Sequence, residues 1–278
     1  MEATLERNSK SKSVLKAILF CVVFTVLFIV LSFTKSFFPN NVERLAHGLI
    51  GMAAALATTF LFLKFDHKSF ADIGLQWEQK TLLRFFIGFV AGIIIMGLLA
   101  TSVLYFSAVT VQANPSGNIL HFLLLTAPLL PLAFMEELGF RAYPLQLLKD
   151  KVGIRFSIFI TSILFALYHI VNGWSVASSF LGPAVWGLVF GLAAVYAKGI
   201  AMPTGVHFAA NVTTAAFSTA DTAAGLWIVK PLPNAATAAG ASVWATLLPS
   251  AALFVFAIIC LELYKKQSTN SNHAWTKT

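Results

Sequence analysis

Glu136 and Glu137 stand side by side in a long apolar segment, roughly Ile119 to Leu148, with Arg141 four positions beyond Glu137. Charges at membrane depth are costly, face a protein interior or a wet cavity, and mark function by default. On a helix Glu137 and Arg141 share a face and can pair. Glu136 is turned about 100° away and has no partner on its own helix. One carboxylate is therefore expected to be locked by a cation and the other left free to do work. Three further polar groups lie in later apolar segments. His169 ends Phe165-Ala166-Leu167-Tyr168-His169, and His207 and Asn211 lie four apart in His207-Phe208-Ala209-Ala210-Asn211, on one helix face. A free carboxylate with two histidines could bind a proton or a ligand, and Glu136, His169 and His207 could in principle hold zinc. A lone deep histidine more often makes a helix–helix hydrogen bond, so the set carries more than any member.

The elements that must position these groups are membrane spans. Of 278 residues, 58% are hydrophobic and only 11% charged, where a soluble domain is nearer a quarter charged. The expected fold is all-α: a polytopic bundle of about eight spans around a polar intramembrane cavity. The spans are roughly Val14–Phe33, Leu45–Leu63, Leu82–Phe106, Ile119–Leu148, Ile154–Val171, Ser178–Ala197, Ile200–Phe217 and Ser242–Tyr264. The chain reads as one integral membrane domain over 1–278, with the polar motifs confined to about 119–217. The first span reads as a retained anchor, since a cleaved signal needs a shorter apolar run and a small-residue cleavage site.

Fifteen of the nineteen Lys and Arg fall in alternate connections and the two tails, three fall on the other side, and Arg141 lies within a span. That bias puts both termini in the cytoplasm. It also accounts for the net charge of +8 without a nucleic-acid partner. Cys21 and Cys260 fall in apolar runs and read as small buried hydrophobes. His47 and His121 lie near span ends, where an interfacial position accounts for them. Gly139 and Gly173 serve packing or turns. The connection Phe70-Ala71-Asp72-Ile73-Gly74-Leu75-Gln76-Trp77 reads as a loop anchored by one Trp, and Ser218–Gly240 as the longest outside loop, a lid or a linker.

Depth supports treating the polar groups together. At about 1.5 Å per residue from the nearest cytoplasmic basic residue, Glu136, His169 and Asn211 each lie roughly 20 Å in, and His207 roughly 14 Å. Prolines 128, 131, 144 and 203 are expected to kink these helices.

In order along the chain, Glu136-Glu137-x-x-x-Arg141, Phe165-x-x-x-His169 and His207-x-x-x-Asn211 resemble the three motifs of the CAAX protease and bacteriocin-processing family of intramembrane glutamic endopeptidases. The resemblance covers Ile119 to Phe217, and the Asp72-Ile73-Gly74-Leu75 segment is similar to a loop that many bacterial members carry. It implies that Glu136 and His169 hold and deprotonate a water, and that His207 and Asn211 donate to the oxyanion. Glu137, Arg141 and Phe165 would support them. It implies no cofactor, no metal, and a peptide or membrane-protein substrate met in the lipid bilayer. A bacterial inner membrane is the expected location, with the endoplasmic reticulum as the alternative.

The His-Glu-x-x-His pattern of helical zinc proteases and the Gly-x-Ser-x-Gly setting of a serine nucleophile are both absent from the sequence. Outside enzymology, a transporter or immunity-type binding protein would use the same cavity for a ligand or proton.

Overall fold

The structure, a computed structural model, describes residues 2–39, 42–106, 109–218, 225–231 and 239–275. Side chains are described over 9–39, 42–106, 109–217, 225–230 and 247–267 of these. It is a helix bundle with one small sheet at an end. Helices α1 (Glu2–Ser32), α2 (Glu43–Phe65) and α3 (Thr81–Phe106) precede strand β1 (Val109–Ala113). The segment 119–152 follows as α4 (Ile119–Thr126), α5 (Leu129–Glu137), a π turn (Leu138–Ala142) and α6 (Tyr143–Val152). Then come α7 (Ile154–Val171), the short α8 (Val176–Ser179), a second π turn (Phe180–Ala184), α9 (Val185–Ala197) and α10 (Ala201–Ala216). Strands β2 (Phe217–Ser218) and β3 (Trp227–Pro231) and helix α11 (Ala239–Trp275) complete the chain.

Seven helical segments among the described residues are long and apolar enough to cross a membrane, and the protein is a multi-pass membrane protein. Their outward faces are apolar: Val90, Ile94 and Leu98 of α3 are all more than half exposed, as side chains solvated by lipid should be. The eighth expected span, Ile200–Phe217, is α10, which at 16 residues is about 24 Å long and falls short of a full bilayer core. It nonetheless runs beside α3 from one end of the bundle to the other. Its start abuts the loop that precedes α3, and its end joins the sheet that β1 begins.

Small residues hold that pair together. A side-chain carbon on Gly88 would strike the Met202 carbonyl, and one on Gly205 the Phe85 carbonyl. One on Gly92 would come within 2.7 Å of Ala209 Cβ. The sequence pattern is Gly88-x-x-x-Gly92 facing Gly205-x-x-x-Ala209, which lets two backbones meet where lipid offers no hydrophobic drive for association.

The Asp72 loop fixes the other approach to α10. Ala71–Ile73 form a 3-10 turn whose Asp72 carboxylate accepts from Ser69 N at 2.7 Å and Ser69 Oγ at 2.8 Å. The Ser69 backbone N–H and hydroxyl hold the Asp72 carboxyl below the usual carboxylate range. Gly74 then takes φ +73° and packs against Lys198 and Gly199, the turn that launches α10. The segment expected to be a Trp-anchored loop is thus a buttress, while Trp77 itself is 76% exposed.

The long fourth segment and the later Val176–Ala197 segment are both broken near prolines, which lack a backbone donor. Pro128 caps α5, Pro144 follows the first π turn, and Pro183 lies inside the second. Ser and Thr side chains in the spans mostly return to their own helices: Thr58, Thr126, Thr161, Ser162 and Thr204 each donate to the carbonyl four residues back. Across the Ser218–Gly240 connection, 225–231 is described. It holds β3, antiparallel to β1 over Val109–Ala113, with β2 parallel on its other side. Cys21 is buried and Cys260 half-buried, both as free thiols.

Candidate active site

Glu137 and Arg141 lie in and beside the first π turn, and both are completely buried. Their spacing produces the expected pair, with Arg141 Nη1 3.4 Å from Glu137 Oε1. The guanidinium also lies against two rings, 4.3 Å from the Phe165 centroid and 5.3 Å from that of Phe190. Desolvated cation–π contacts of this kind contribute about 2 kcal/mol. Gly139 leaves room for the turn, since a Cβ there would lie 2.7 Å from the Phe24 ring.

The same Glu137 oxygen takes a second bond from another helix. His207 Nδ1 lies 2.9 Å from Glu137 Oε1, and His207 Nε2 lies 3.4 Å from Glu136 Oε2. His207 therefore stands between the two carboxylates, with Phe190 stacked on its ring at 4.4 Å. Glu136 lacks a partner on its own helix, as expected, but has one across the bundle. A carboxylate can only accept, so His207 Nδ1 carries the hydrogen in this bond. His169 is set by similar logic. Its Nδ1 lies 2.9 Å from the Phe165 carbonyl, which also only accepts, leaving the Nε2 lone pair free in the neutral ring. Phe165 and Trp174 flank that ring edge-on, at 4.6 and 5.1 Å.

Glu136, His169, His207 and Asn211 all line one cavity of about 520 Å³, together with Phe165. Glu137 and Arg141 do not line it; they hold its wall from behind. The contrast with Glu136, whose side chain is 16% exposed, separates a locked carboxylate from a reachable one. The cavity extends to Arg44 at the start of α2, Trp174 after α7 and Thr214 near the end of α10. These mark the end of the bundle opposite Lys68, Lys151 and Lys198. Among the described residues, no group of three or more His, Cys, Asp or Glu is arranged to hold a metal ion.

Sequence reasoning did not single out Arg44, Trp186 or Phe190 as part of this wall. A usable signal was present for α9: Gly187 and Gly191 pack against Ser162 and Ile158 of α7, which leaves Trp186 and Phe190, four apart, on a neighbouring face. Tyr168 belongs to the aromatic core, stacked at 6.0 Å on Phe24, and Asn172 donates to the Tyr168 carbonyl at the end of α7. Gly173 ends that helix at φ +91°. His121 is exposed, and His47 packs its ring on Phe28 at 4.8 Å.

No curated protein matches the chain. Residues 115–213 match the family model described as type II CAAX prenyl endopeptidase Rce1-like. That stretch begins just before α4 and ends within α10, so it contains all seven of the motif residues. Over these residues, which carry most of the cavity wall, the chain is similar to the CAAX protease family.

Proposed function

We propose that the protein is an intramembrane endopeptidase in which Glu136 and His169 activate one water. The observation that carries this reading is the convergence of Glu136, His169, His207 and Asn211, from three separate helical segments, on one cavity. The water would be held between Glu136 and the free Nε2 of His169. It attacks the peptide carbonyl carbon as its proton passes to Glu136. That proton then goes to the departing amine nitrogen as the C–N bond breaks. A carboxylate within reach of a water that faces the substrate carbonyl can take the water's proton as a general base.

His207 and Asn211 would donate to the oxyanion. In that role Nδ1 of His207 stays on Glu137, and Nε2, on the Glu136 side of the ring, would turn to the oxyanion. A preorganised donor of this kind is worth about 100- to 1,000-fold in rate. Glu137 and Arg141 are positioning residues that set the His207 ring.

In this reading both termini lie in the cytoplasm, which the distribution of basic residues supports, and the membrane is a bacterial inner membrane. The Arg44–Trp174 end of the cavity then faces outward. The substrate is a peptide or membrane-protein segment entering from that end.

The test is hydrolysis of a peptide library by purified protein in proteoliposomes, read by mass spectrometry. Glu136→Gln keeps shape and removes the base. It should leave folding intact and lower turnover at least about 100-fold. Undiminished cleavage by that variant would sink the mechanism. A cavity that binds peptide without ever cleaving it would favour a transporter or immunity-type protein instead.

A further inference from the structure

A second hollow, of about 600 Å³, lies at the other end of the bundle from the mouth of the first. Three elements meet there: α1 with Lys12 and Lys16, the turn after α2 with Asp66 and Lys68, and α6 with Lys151. Ser9 and Ser13 add hydroxyls. Four cations thus face one carboxylate, and that carboxylate is already occupied on both oxygens. Lys16 Nζ holds Asp66 Oδ1, and Tyr143 Oη donates to Oδ2 at 2.6 Å. Burial pushes the Asp66 carboxyl up, but these bonds and the nearby Lys16 and Lys68 charges outweigh it and hold it below the usual range. Lys12, Lys68 and Lys151 make no ion pair among the described residues.

Topology alone asks only that lysines sit in cytoplasmic connections. It does not ask that three elements aim them into one hollow, where like charges repel. An anion resolves the repulsion. Beside the hollow, Leu15, Leu19 and Val22 form an apolar ridge on α1, each at least half exposed. A charged hollow next to a lipid-facing ridge fits one molecule with a phosphate at one end and acyl chains at the other.

We propose that this hollow binds the phosphate headgroup of an anionic phospholipid, which ties α1 to α2 and α6. The probe is phosphatidylglycerol added to the purified full chain in zwitterionic detergent, with phosphatidylcholine and inorganic phosphate in parallel. Retained lipid is read by native mass spectrometry and stability by the melting temperature. Phosphatidylglycerol should give a saturable one-to-one adduct and raise the melting temperature, and phosphatidylcholine should do neither. At about fivefold per lysine, Lys12→Gln, Lys68→Gln and Lys151→Gln together should weaken the adduct on the order of 100-fold. A reference variant with Lys35→Gln, Lys80→Gln and Lys230→Gln should retain it. If the first triple variant is too unstable to purify, Lys68→Gln alone should still weaken the adduct about fivefold. An adduct indifferent to these lysines overturns the proposal. So does a melting shift reproduced by inorganic phosphate alone, which would identify a free-anion site.

Discussion

Changing Arg141 to Met separates what holds the fold from what serves the chemistry. Met keeps most of the side-chain volume, so packing against Phe140, Phe165 and Phe190 is largely preserved while the charge is lost. Glu137, with no exposed surface, is left with His207 as its remaining partner among the described residues. Breaking a buried pair from one side costs about 3–5 kcal/mol. The pair here is imperfect, since Glu137 Oε2 and Arg141 Nε and Nη2 have no hydrogen-bond partners among the described residues. That argues for the lower half of the range. At about 2–4 °C per kcal/mol for a chain of this size, Arg141→Met should lower the melting temperature on the order of 10 °C. Fluorescence-detected size exclusion after a heating series measures it. Adding Glu137→Gln removes the stranded charge, and replacing a whole buried pair is often nearly neutral. The double variant should therefore recover most of the stability. It should not recover turnover, because His207 Nδ1 has lost the carboxylate that orients it. If the double variant melts no higher than Arg141→Met, the two side chains are uncoupled and the pairing role is wrong.

Gly205→Leu should abolish folded yield, because its side chain would meet the Phe85 backbone, whereas Gly97→Ala, with nothing within 4 Å, should leave yield and activity unchanged. Asp66 has a depressed carboxyl, so its stabilising contribution is complete above the ordinary carboxylate range and is lost as pH falls through the lowered value. Melting temperatures across about pH 3 to 7 should therefore fall toward acid in the parent protein. They should fall less in Asp66→Asn, whose baseline stability is lower; an identical acid limb in both would remove Asp66 from the account. In a background with Cys21 and Cys260 replaced by Ala, Thr214→Cys in intact cells should react with a membrane-impermeant thiol reagent, and Lys80→Cys should not. The reverse pattern would invert the proposed topology.

The reactive residues were legible because a charge inside an apolar run is costly and persists only where it is paired or put to use. Glu136, Glu137 and Arg141 stand out in a segment otherwise free of charge, and the pairing of Glu137 with Arg141 survives even though the helix widens to a π turn between them. His207 was harder to read. Its spacing to Asn211 gives a helix face, but nothing in the chain says that this face meets Glu137, 70 residues earlier. The sheet was equally hidden. Val109-Thr110-Val111 and Trp227-Ile228-Val229 are good strand residues, yet each run is short and their pairing spans more than a hundred residues.

What joins the motifs is written in residues that carry no chemistry. Gly88, Gly92 and Gly205 let α10 lie directly on α3, and Gly74 against Lys198 sets where α10 begins. Together they hold the helix that carries His207 and Asn211. The π turn holds the other half of the site, with Glu136 and Glu137 just before it and Arg141 within it. A helix shifted along α3 by one turn would move His207 about 5.4 Å, which breaks contacts of 2.9 and 3.4 Å to the two carboxylates. The glycine contacts tolerate no such shift, because each is a fit of backbone against backbone. They are therefore as necessary to the His207–carboxylate geometry as the carboxylates themselves.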